Sequence, residues 1–175
     1  MPVVLAILGI ISAAAIWYYR AQAARDAAGD LMDMANDVRL AARRFGFKRR
    51  TNVHPVDSID DARLAGAGIV AAIAGMAGPL AQPQLDEMSR QFQSVFGVAK
   101  DEAVEITTFG RWIAEQCGTR AEAVRRLSKR LRSLAGGEAH ADLHAMIDAV
   151  IASGGAAPTE DQADAKDTIT RHLMN

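Results

Sequence analysis

Hydrophobic and polar positions follow three regimes along this chain, and each predicts a different element. The first regime is unbroken. Residues 3–19, V-V-L-A-I-L-G-I-I-S-A-A-A-I-W-Y-Y, carry no charge. A helix of that length rises about 25 Å, at the short end of what crosses a bilayer core. Trp17, Tyr18 and Tyr19 close the run where an aromatic belt belongs, and Arg20 follows at once. A secretory signal would place basic residues before the run and a small-residue cleavage site after it. The order here is the reverse, so residues 1–19 read as an uncleaved anchor, N-terminus outside and the remainder in the cytoplasm. Gly9 and Ala13 form a small-xxx-small pair through which two anchors can pack as a homodimer.

The second regime is periodic. Leu31, Met34, Val38, Ala42 and Phe45 recur at helical spacing, with Asp30, Asp33, Asp37 and Arg44 elsewhere on the circumference. Residues 20–50 thus read as an amphipathic connector. Residues 51–57, T-N-V-H-P-V-D, break the period and read as a linker. Their His-Pro-Val-Asp lacks the uninterrupted H-P-D of J-domains. Ser58-x-x-Asp61 then reads as a capping-box-like helix start.

The third regime is apolar again, but built from small residues. Residues 64–81 hold no charge and four glycines. Their length would suit a second span, yet their weak hydrophobicity suits a central helix buried on all sides. Amphipathic helices follow, punctuated by glycine. One places Leu85, Met88, Phe92 and Phe96 on one face and stops at Gly97. The next carries Ala103, Ile106, Trp112 and Ile113 and stops at Gly118. Thr119-x-x-Glu122 opens a third, striped with Val124, Leu127, Leu131 and Leu134. Leu143, Met146, Ile147, Val150 and Ile151 mark a fourth. Pro158, Thr159 and Gln162 open the last, with Ile169 and Leu173 inside. No alternating run predicts a strand. The expected fold is all-α: a single transmembrane helix, then a compact bundle of about six helices over residues 58–175.

Charge changes this picture in one respect. Residues 20–50 hold eight Arg or Lys against four Asp, and residues 51–175 hold 12 basic against 17 acidic groups. A basic segment joined to an acidic domain argues against nucleic-acid binding. Arg39, Arg43, Arg44, Lys48, Arg49 and Arg50 are six cations without an acid among them. Near an anionic surface each contributes about 1 kcal/mol. A straight helix from Tyr19 to Arg43 would hold them about 36 Å from the membrane, so lipid contact requires a bend. A second basic stretch, Arg120 to Arg132, includes Arg125, Lys129 and Arg132 opposite the leucine stripe. These cations are the candidate contacts for lipid or a protein partner.

Candidate chemistry is sparse. Cys117 is the one cysteine, which excludes an intramolecular disulfide and lacks a His/Asp context for nucleophilic work. His140 and His144 lie one helical turn apart, a spacing that holds a transition metal only with a third ligand. Phe109 and Trp112 read as core. Phosphate-loop, dinucleotide and zinc-protease motifs are all missing, so no enzyme activity and no cofactor is expected.

Two loops carry a family likeness. In residues 76–84, Met76-Ala77-Gly78-Pro79-Leu80-Ala81-Gln82-Pro83-Gln84, a small-residue helix leads through a glycine turn into a new helix. A related loop runs from Ala152 to Gln162, A-S-G-G-A-A-P-T-E-D-Q. Residues 60–174 resemble the TerB-like (tellurite-resistance) family, whose helical domain also follows the membrane anchor in certain membrane-bound J-domain co-chaperones. The family's loop has the form A-D-G-x-hydrophobic-[ST]-x-x-E. Here Ala77 and Ser153 stand where it has aspartate, and Gln84 and Gln162 where it has glutamate. The resemblance implies pseudo-twofold symmetry between the loops. It also implies a metal site whose acids are gone, since hard cations need several carboxylate or carbonyl oxygens. Gln84 and Gln162 retain the capacity to cap helices and bond across the loops.

These readings converge on a single-pass protein of a bacterial inner membrane. It would act as a non-enzymatic interaction or scaffold module, or as an accessory subunit of a membrane complex, with membrane proteins as partners. The alternative is a metal- or ligand-sensing domain linked to envelope or metal stress.

Overall fold

The computed structural model describes residues 37–174. The anchor with Trp17, Tyr18, Tyr19 and Arg20 lies outside the described residues, as do Leu31 and Met34 of the connector. Within them the chain is helical, with no strand. Residues 37–44 are helical (α1). After a 3-10 turn at Pro55–Ser58 come α2 (Ala62–Ala74), a 3-10 turn at Gly75–Ala77, α3 (Gln82–Phe96), α4 (Lys100–Glu115), α5 (Arg120–Ala135), α6 (His140–Ser153) and α7 (Glu160–Met174). The all-α bundle of about six helices is therefore present. No helix among the described residues is long and apolar enough to cross a membrane.

The small-residue stretch forms the centre. Every residue from Leu64 to Ala74 is buried, and α4 and α5 are its main neighbours. Glycine makes the approach possible. A Cβ on Gly110 of α4 would lie 2.8 Å from the Ala67 carbonyl, and one on Gly68 would lie 2.8 Å from Ile113 Cγ2. Both are closer than real Cβ atoms come, and at Gly110 the obstacle is backbone, so this approach of α4 to α2 requires glycine there. Ile69, Ile73, Ile106 and Ile113 fill the space around it, each fully buried and each contributing about 2 kcal/mol before conformational entropy is counted. Isoleucine among alanine and glycine gives a helix that is apolar all round from Leu64 onward but only 13 residues long in total. It is a core helix, not a span.

The outer helices follow their stripes. Met88 and Phe92 of α3, Val124, Leu127 and Leu131 of α5, all five apolar positions marked in α6, and Ile169 and Leu173 of α7 are buried. Gly97 closes α3 in the left-handed region at φ 64°, a conformation that costs most residues about 1 kcal/mol or more.

The stretch 51–57, expected as a linker, is a structured strap. His54 Nδ1 accepts the Val56 N–H at 3.3 Å, while its Nε2 lies 3.2 Å from the Gln116 carbonyl. One neutral tautomer satisfies both. Pro55, Val56 and Ile59 are buried. That burial also moves the helix start. Ile59 enters the core on extended backbone, so α2 opens after Asp61, whose Oδ1 accepts the Arg63 N–H at 2.9 Å. Ser58, expected as the cap, instead accepts the Arg50 N–H at 3.2 Å. Further back, Phe47 packs edge-on against Phe109 and Trp112, with ring centroids 5.1 and 5.8 Å away. Val38 and Ala41 of α1 are buried. The compact unit thus begins at Val38, well before the linker.

Candidate functional site

The two loops meet. Ala77, Gly78, Pro79, Ala81 and Gln84 from one, and Gly154, Ala156, Ala157 and Gln162 from the other, line a cleft of about 240 Å³. Loop geometry follows from the ends of the helices. The α2 end tightens into a 3-10 turn, and Gly78 leaves it at φ 140°. The α6 end is closed by Gly154, with Gly155 at φ 74°.

Each glutamine caps its own helix. Gln84 Oε1 accepts the Ala81 N–H at 3.1 Å. Gln162 Oε1 accepts the Thr159 N–H at 3.0 Å, and Thr159 Oγ1 accepts the Gln162 N–H at 3.3 Å. Each also reaches the opposite loop. Gln162 Nε2 donates to the Ile73 and Ala74 carbonyls at 3.1 and 3.4 Å, satisfying the end of α2. Gln84 Nε2 lies so close to Gly154 that a Cβ there would sit 2.9 Å from it. Ser153 stands apart from the cleft, its hydroxyl donating back to the Val150 carbonyl at 2.8 Å. The cleft therefore offers amide, backbone and methyl groups. Among the described residues no three His, Cys, Asp or Glu side chains are grouped to hold a metal.

The basic residues divide into engaged and exposed. Arg44 pairs with Glu105 at 3.0 Å. Arg125 and Arg126 both pair with Glu122, and they hold its carboxyl down to about 2 through those hydrogen bonds. Arg132 donates to the His172 and Leu173 carbonyls at 3.0 Å, closing the end of α7. Arg39, Arg43, Lys48, Arg49 and Lys129 are exposed. Sequence separated the 39–50 cluster from α5, but the structure joins them. Asp60 takes Arg130 at 3.0 Å on one oxygen and Arg50 at 3.7 Å on the other, while Arg130 Nε donates to the Ile59 carbonyl at 2.6 Å. Arg130 is the tie between them that sequence reading missed, because its partners lie about 70 positions away.

His140 and His144 converge on a hydroxyl. Their rings lie 4.3 Å apart, and their Nε2 atoms are 3.0 and 3.4 Å from Thr170 Oγ1 on α7. Burial first, and His140 second, pull the His144 pKa down. Cys117 is buried with its thiol directed at the Ile113 carbonyl, and desolvation pushes its pKa up. A raised thiol is a poor nucleophile.

The chain matches no family model, no curated protein and no solved structure.

Proposed function

We propose that the chain is a membrane-anchored, non-enzymatic interaction module of the TerB-like kind, held to a bacterial inner membrane by residues 3–19. The observation that carries the reading is the junction at Asp60. There Arg50 of the 39–50 segment and Arg130 of α5 share one carboxylate, so the two basic stretches adjoin along one edge. Lys48 and Arg49 of the one stretch and Lys129 of the other are exposed. Such an edge favours an acidic surface on a partner, and membrane attachment raises the local concentration of any partner in the same bilayer.

The matching caps of the two loops, and their contact in one cleft, support the family likeness. Gln84 and Gln162 stand at equivalent positions, each touching the other's loop. The metal-sensing alternative would call for carboxylates that Ala77, Gln84, Ser153 and Gln162 do not supply.

Alkaline carbonate extraction of native membranes tests the anchor. The full chain should remain in the pellet, and a chain lacking residues 3–19 should be released. Release of both would remove the membrane-anchored reading and leave the basic edge to be judged alone.

A further inference from the structure

Five arginines are half-buried among the described residues: Arg63, Arg111, Arg120, Arg126 and Arg130. Three of them are anchored on oxygen. Arg63 binds Asp61 and Glu102, Arg126 binds Glu122, and Arg130 binds Asp60 and the Ile59 carbonyl. Arg111 and Arg120 break the pattern. Arg120 reaches only Glu115, at 4.0 Å, too long for a hydrogen bond. Arg111 makes no ion pair among the described residues. These two exceptions line the same cleft of about 420 Å³, between the last turn of α4, the first turn of α5 and the Gly75–Leu80 loop.

A guanidinium carries five N–H donors in a fork that matches carboxylate and phosphate oxygens. Two such forks at one cleft, with Glu115 the one acid lining it, make a site short of acceptors. Charge complementation of the α2 C-terminus accounts in part for Arg120. Its guanidinium lies against Gly75, where a Cβ would sit 3.3 Å from Nε, close to the negative end of that helix. It does not account for Arg111. Arg120 also opens α5, whose N-terminal dipole adds positive potential on the same side.

We infer that Arg111 and Arg120 bind the phosphate group of a phosphomonoester or phosphodiester headgroup, with Glu115 as the internal competitor that an incoming anion displaces. The cleft exceeds a phosphate several-fold, so the group arrives as part of a larger molecule whose remainder lies over Pro79 and Leu80.

Calorimetry on the full chain in neutral detergent tests this, with glycerol 3-phosphate and phosphatidylglycerol-doped micelles as the two probes. Saturable binding to at least one is expected. Arg111→Gln or Arg120→Gln should weaken it about tenfold or more, the loss of one charge-assisted fork. Glu115→Gln should tighten it, which a merely structural carboxylate would not do. Binding of the soluble probe assigns a soluble phosphomonoester, and binding of the doped micelles alone assigns a lipid headgroup. Saturation with neither probe overturns the inference. So does binding that survives both arginine substitutions in variants with unchanged circular dichroism, or a weakening in Glu115→Gln.

Discussion

Gln84 and Gln162 each occupy the third position of a helix that follows a glycine turn, yet their surroundings differ. Gln162 is 2% exposed and bonds at both ends of its amide, to its own cap and to two carbonyls of α2. Gln84 is half-buried, caps only its own helix and meets the other loop by packing on Gly154. The capping residues differ too. Thr159 supplies an oxygen that completes a reciprocal capping box, whereas Ala81 has none to supply. The same local pattern thus closes the core in the second loop and trims a surface in the first.

The largest effect should come from Gln162→Ala. It removes a cap and takes from the Ile73 and Ala74 carbonyls the buried amide that donates to them, at a cost of about 3 kcal/mol. Equilibrium urea unfolding would read this as a lower midpoint. Gln84→Ala should cost less than about 1 kcal/mol, and equal losses at the two positions would break the comparison.

Coupling between loops is the next test. Gly154→Ala pushes on the Gln84 amide, whose oxygen holds the Ala81 cap. The substitution should cost about 1 kcal/mol in the native chain and distinctly less in a Gln84→Ala background. A double-mutant cycle with no interaction energy would show the loops to be independent. Ala81→Ser sharpens the contrast from the other side. Its backbone already has the extended conformation of an N-cap (φ −77°, ψ 159°), so the added oxygen should stabilise the protein by about 1 kcal/mol.

The smallest expected effect is a pH dependence confined to the second helix pair. His144 faces His140 on α6 and Lys166, Asp148 and Asp167 around it, and its pKa is lowered from 6.5. Unfolded chains therefore take up the proton first. Stability should be level above about pH 6.5 and fall as pH drops below it, towards the lowered folded value. Hydrogen exchange should show α6 and α7 losing protection before α2 and α3. A His144→Gln variant that keeps the slope would assign it elsewhere.

Helix order, helix ends and most core positions were legible because glycine punctuation and 3.6-residue stripes are local signals. α6 shows this best, where all five apolar positions marked in sequence are buried. The anchoring of the 51–57 stretch was not legible, because polar Thr, Asn and His outnumber its buried residues. What pins it is His54 on the Gln116 carbonyl, a contact across 62 positions. That the loop glutamines can cap helices and bond across the loops was legible through the family likeness, but which carbonyls Gln162 reaches on α2 was not. The basic edge was half legible. Its charges were evident, but their junction depends on Asp60, an unremarkable surface aspartate until Arg50 and Arg130 are folded onto it.

The most direct test of the functional reading reverses that edge. Arg49→Glu, Arg50→Glu and Lys129→Glu leave the structural Arg130 and Arg132 in place. Crosslinked pull-down from native membranes would compare this variant with the native chain, at equal membrane association and equal thermal stability. The account predicts a defined set of membrane partners captured by the native chain and lost by the variant. The same set on both chains, or none on either, would contradict it.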